Sequence, residues 1–195
     1  MKKQTNIEKT KYIAIAGIFL ALHVVISGFF IPVGENLRIY FTYLLVMTLA
    51  IILPPKMAFL YAFIEDIVAF FVMPPGGPFF FGYTITAIVS MMIYSFFLYK
   101  EVTLSRIILA KASVNIIANI FLNSIWSAML YSHGFIYYLG KSVVKNTVLL
   151  PVEILGFVLF YQLVYPILVK NKFLKPGEKA LQMHASCPLK KLFSK

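Results

Sequence analysis

The chain has 195 residues, of which 61% are hydrophobic and 13% charged, with a net charge of +11 at pH 7 and a mean hydropathy of +0.85. That composition excludes a soluble domain with an ordinary core and implies an integral membrane protein. A single cysteine, Cys187, excludes an internal disulfide and a thiolate metal cluster, and no cofactor is called for.

A hydrocarbon core of ~30 Å takes roughly 20 residues per helix, which leaves room for about six spans and little else. The expected fold is an all-α integral membrane protein. It is one bundle of six transmembrane helices over 1–170, with spans near 12–30, 39–53, 57–73, 79–99, 106–131 and 140–169, followed by a basic tail over 171–195. The positive charges are one-sided: fourteen of the eighteen Lys and Arg precede the first span, occupy the loops around Lys56 and Lys100 to Arg106, or follow Val169. By the positive-inside rule both termini are cytoplasmic in a cell membrane, which agrees with an even number of spans. Juxtamembrane lysines of this kind are explained by orientation and lipid headgroups, so nucleic acid is not an expected partner.

The first span follows a basic leader but is too long for a signal peptide and lacks a cleavage site before the next span, so it is expected to stay as a helix. Ala14, Gly17 and Ala21 recur along one side of it at three- and four-residue spacing. Small residues let another helix approach closely, and spacing alone favours a helix of the same bundle over one of a partner without deciding between them. The outer loop after it carries Glu35, Asn36 and Arg38 between Gly34 and the second span, suited either to a solvated turn or to a flap over a pocket mouth. Pro54 and Pro55 end the second span in a sharp inner turn.

Span three places Glu65 and Asp66 within the membrane, where carboxylates are functional candidates by default. Adjacent residues point about 100° apart on a helix, so at most one of the two aims squarely at a cavity, and which one is open. The outer loop over 74–83, PPGGPFFFGY, cannot be helical at its start and supplies Phe79 and Tyr83, either as an interfacial belt or as a wall for a flat ring.

Span five carries Lys111, Asn115, Asn119, Asn123 and Ser127 at four-residue intervals, with Trp126 beside the outer end. Four residues advance a helix by about 400°, so this polar row climbs one side of the span. Facing lipid, it would be costly, so it lines either a pocket or a helix–helix contact. Span six adds Lys141 and Lys145, one turn apart, and Pro151 is expected to kink it near Glu153. No nucleotide-binding loop, nucleophile elbow or metal-ligand spacing occurs, and Ser124 and Ser127 have no evident histidine partner, so the chain is not expected to be an enzyme.

Three segments, GENLRIYF over 34–41, PPGGPFFFGY over 74–83 and the Asn115, Asn119, Asn123, Trp126 row, resemble the folate-specific S components of energy-coupling factor (ECF) vitamin transporters. The likeness spans about 12–169 and leaves the tail outside it. It implies a membrane subunit that captures folate outside the cell and delivers it inward with a transmembrane T component and two ATPase subunits. The ligand set implied is Glu35, Asn36, Arg38, Glu65, Phe79, Tyr83, Asn119, Asn123, Trp126 and Lys145, with Arg38 and Lys145 at the glutamate tail. The strip Ala14, Gly17, Ala21 would meet the T component, and the AxxxA signature of the family stands here as Gly17-x-x-x-Ala21. The chemistry of the residues agrees, because carboxamides pair donors and acceptors of a pterin edge and a carboxylate suits its amidine-like side. An S component for another flat vitamin, such as a hydroxymethylpyrimidine or a flavin, or a membrane scaffold with no transport role, would share most of these features.

Overall fold

The computed structural model describes residues 2–34, 37–74, 79–131, 134–174, 177 and 180–181, and leaves the side chains of 2–8, 32–34 and 37–39 outside that description. Six helical segments follow in order: α1 (Lys2–Ser27), α2 (Thr42–Ile52), α3 (Pro55–Val72), α4 (Phe81–Leu98), α5 (Leu104–Leu130) and α6 (Phe135–Lys170). Between α1 and α2 the chain forms a two-stranded antiparallel ribbon, β1 (Phe30–Gly34) and β2 (Leu37–Tyr40), an addition to the all-helical expectation. The ribbon takes residues 39–40 that the hydropathy pattern assigned to the second span, because Ile39 and Tyr40 pair with Ile31 and Phe30.

Four helices, α1 from Lys9, α4, α5 and α6, are long and apolar enough to cross a membrane. With α2 of 11 residues, about 16 Å long, the second span is too short to cross alone. It is apolar on every side and buried, with Met47, Thr48, Leu49, Ala50 and Ile51 each at 0% exposure, which is the signature of a helix enclosed by others. Around it α1 packs on α3, α3 on α4, α4 on α5 and α5 on α6, while α2 itself touches α1, α3, α4 and α6. Short connections make consecutive helices antiparallel, so the ribbon, the α3–α4 loop and the α5–α6 turn share one end of the bundle.

Helix α1 turns Ile15, Phe19 and His23 inward at four-residue spacing. The opposite side, with Ala14, Gly17 and Ala21, is exposed, and a β-carbon built on Gly17 would meet nothing within 4 Å. Helix α6 runs unbroken for 36 residues, about 54 Å, through both Pro151 and Pro166. At its end Lys172 adopts a left-handed conformation (φ 59°), and the amides of Phe173 and Leu174 return to the carbonyl of Leu168. Leu174 is thereby buried, so the start of the basic tail folds back onto the core.

Candidate functional site

Helix α5 carries the polar row, and it is not a uniform α-helix: residues Asn115–Leu122 form π-helical turns. A wider turn needs more than four residues to come round, so groups at four-residue spacing lose the steady drift that a regular helix would impose. The row divides into two halves with different partners.

The deeper half is fully engaged. Lys111 Nζ lies 3.1 Å from Glu153 Oε2 and 4.4 Å from the centroid of the Tyr43 ring. Asn115 donates to the carbonyl of Asn146 and to Glu153 Oε2, both at 3.3 Å, and accepts from Asn119 Nδ2 at 3.0 Å. Asn146 in turn donates to the carbonyl of Ser142 at 2.8 Å. Tyr43 reaches this cluster because Gly156 faces it; a β-carbon there would stand 2.8 Å from the phenol oxygen. Lys145, half-buried on α6, is within electrostatic reach of both Glu153 and Lys111. Lys111 is thus ion-paired with Glu153 away from water, where the field of each charge is strong.

The half nearer the ribbon is built around Trp126. Its indole Nε1 donates to Thr86 Oγ1 at 3.0 Å, and Phe80 packs edge-on against the ring at a centroid distance of 5.7 Å. Tyr83 packs edge-on against Phe80 at 6.0 Å and lies within reach of Ser127. Gly82 sits beneath both rings, where a β-carbon would come within 2.7 Å of Trp126 Cδ2, so only glycine allows this approach. Asn123 Oδ1 is buried here without a hydrogen-bond partner among the described residues. A buried unmatched acceptor costs about 1–3 kcal/mol, which makes it a natural contact for a ligand donor.

The third group lies between α1, α3 and α4. Glu65, 6% exposed, bonds to His23 at 2.6 Å, and Asp66 Oδ2 accepts from Thr84 at 2.7 Å. The two neighbouring acids therefore address opposite neighbours, Glu65 toward α1 and Asp66 toward α4. With Thr86 holding Trp126, polar contacts run from α1 through α3 and α4 to α5.

Of the residues singled out from sequence, Tyr83, Trp126 and Asn123 lie together at the ribbon end of α4 and α5, and Asn119 links them to the deeper cluster. Phe79 stands apart: it is 41% exposed and joins Phe70 and Phe71. Its neighbour Phe80 takes the place beside Trp126, since Phe80 is extended and successive side chains of extended backbone point to opposite sides. Glu35 and Asn36 lie outside the described residues, as does the side chain of Arg38, whose backbone pairs with Pro32 in the ribbon. Phe80, Thr86, His23 and Glu153 gave no spacing signal of their own; each becomes visible only through a partner on another helix.

No family profile matches the chain. A folate transporter named FolT from Leuconostoc mesenteroides is 33% identical over 153 residues, covering 74% of this chain and 81% of its own length. A second folate transporter FolT, from Clostridium novyi, is 23% identical over 169 residues, covering 86% of this chain and 98% of its own. A crystal structure of FolT bound with folic acid superposes with a TM-score of 0.69 at 29% identity, over 78% of this chain and 92% of that one.

Proposed function

Because the chain belongs to the FolT family of folate transporters, we propose that it is the membrane-embedded folate-binding subunit of an ECF transporter, capturing folate at the ribbon end and releasing it inward when coupled to a T component and two ATPase subunits. The observation that carries this is the Trp126 wall: an edge-on pair of Trp126 and Phe80, pinned by Thr86 and Gly82, with the buried and unmatched Asn123 Oδ1 three residues away on the same helix. Aromatic faces favour offset stacking with a flat pterin, and a carboxamide matches its hydrogen-bonding edge. Tyr83, Asn119 and Glu65 complete the pterin side, with Phe79, Glu35 and Asn36 at the mouth. Arg38 and Lys145 take the glutamate tail. The place of Lys145 on α6, half-buried near the polar end of α5, supports that role.

Both termini face the cytoplasm in this reading, so the ribbon end is external, as the charge asymmetry requires. Transport needs nucleotide hydrolysis from a partner, because the sequence carries no phosphate-binding loop of its own. The exposed strip Ala14, Gly17 and Ala21 is the surface on which the T component packs, bare enough for backbones to approach. No step of this cycle is catalysed by the chain, which acts as a binding subunit and not as an enzyme.

The direct test is a titration of the purified protein with folate in the absence of ATP, followed by tryptophan emission. Trp126 is the only tryptophan. One-to-one binding with a change in its emission is expected. Binding shown by calorimetry with unaltered emission would remove Trp126 from the site, and absence of any binding would leave a flavin, a hydroxymethylpyrimidine or a scaffold role to be tested.

A further inference from the structure

We infer that His23 is a further ligand-binding residue, whose Nδ1 accepts a hydrogen bond from the amino donor edge of the bound pterin; this rests on the reading that places Glu65 in the folate site. His23 is the one buried polar side chain of α1 among the described residues, at 8% exposure. Its Nε2 lies 2.6 Å from Glu65 Oε1, while Nδ1 is buried and has no partner among the described residues. In the proposed arrangement Nε2–H donates to the Glu65 carboxylate. The neutral ring then leaves Nδ1 a bare acceptor; a second proton on Nδ1 would instead bury an unmatched donor.

Only three buried side-chain atoms among the described residues lack a partner, and two of them, His23 Nδ1 and Asn123 Oδ1, belong to helices that frame the ribbon end. Both present acceptors. A pterin carries on one edge a 2-amino group and the adjacent ring N–H, which are donors needing acceptors. Glu65 meets His23 through Oε1, so a donor edge docked on Oε2 would approach the imidazole held beside it. Carboxylate and imidazole together form an acceptor pair, with the Nε2–H bond fixing the direction of both. An unmatched buried acceptor disfavours the empty site, and pairing it on binding favours ligands that bring the donor.

The test compares folate with 2-desamino-2-methylfolate, which lacks the amino donors, on the intact protein and on three variants, each checked for folding by thermal unfolding. The wild type is expected to prefer folate by tenfold or more. His23→Leu should weaken folate about 10- to 100-fold while leaving the analogue little changed, so that the preference collapses. His23→Gln, which keeps an acceptor and a donor, should restore part of it and remains informative where the leucine variant fails to fold. If His23→Leu or His23→Gln weakens both ligands equally, His23 only positions α1 and the inference is overturned. Glu65→Gln separates the two levels: unchanged folate binding by that variant removes Glu65 from the site and this inference with it. Folate weakened by Glu65→Gln but untouched by both His23 variants overturns the His23 assignment and leaves the site standing.

Discussion

The two halves of the α5 row differ less in residue type than in what is left over. Around Lys111 and Asn115, Glu153, Asn146, Asn119 and Tyr43 supply partners from three helices. Around Trp126, the indole is matched by Thr86 but Asn123 Oδ1 is unmatched, four residues along the same helix from a carboxamide that bonds to Asn115. A closed polar network in a low-dielectric interior stabilises one packing arrangement, whereas an unmatched buried atom raises the energy of the empty state. The first half fastens the bundle, and the second half leaves open the atom that the proposed folate site uses. The same contrast separates Asp66, matched by Thr84, from the His23–Glu65 pair with its open Nδ1.

Glu153→Ala should produce the largest effect. It strands Lys111 in the interior, and removing one partner of a buried pair costs about 3–5 kcal/mol. Thermal unfolding in detergent should fall sharply, with folate binding lost only as the fold is lost. The double change Lys111→Met with Glu153→Gln should recover most of the stability, because no charge is then left unpaired. A stable Glu153→Ala protein that binds no folate would invert the comparison and place the ligand in the deeper half.

Asn123→Ala should do the reverse. Folate binding is expected to weaken by ~1–3 kcal/mol, as a ligand donor loses its acceptor, with the unfolding temperature unchanged or raised. Isothermal titration and a thermal melt on the same sample would sharpen the division between the halves. Equal losses in affinity and stability would erase it.

Lys145→Gln tests whether the two halves meet. If Lys145 holds the glutamate tail, folate should lose roughly tenfold or more relative to pteroate, which has no glutamate. Competition binding of the two ligands decides this, and an equal loss for both would return Lys145 to the Glu153 cluster alone.

The smallest effect on the isolated protein is expected from Gly17→Leu. Exposed on α1 with nothing near its side-chain position, the substitution should change stability by no more than about 0.5 kcal/mol and leave folate affinity intact. Cellular uptake and co-purification of ATPase subunits should nevertheless be lost. Uptake that survives would show that the partner packs elsewhere, and a destabilised subunit would show that α1 is covered within its own bundle.

The sequence alone determined that this is a helical membrane protein, because apolar runs separated by Pro, Gly and clustered lysines follow directly from the thickness of a bilayer and the need to satisfy every backbone hydrogen bond within it. It also determined that α5 has a polar side, since four-residue spacing converts to a stripe without reference to anything else. The inward set of α1 was not read in that way: the small residues Ala14, Gly17 and Ala21 were legible as a strip, but spacing does not say whether a strip faces a neighbour or the outside. Tertiary structure decided that, by turning Ile15, Phe19 and His23 inward. It likewise decided that α2 is a short core helix preceded by a strand pair, as the partners of Ile39 and Tyr40 lie across a turn. It placed Phe80 and not Phe79 beside Trp126, through an extended backbone at the start of α4. Which polar atoms are matched and which are left open depends on distances between helices, and a one-dimensional pattern holds no such distances: Lys111 and Glu153 are 3.1 Å apart across two helices, and His23 meets Glu65 across two others.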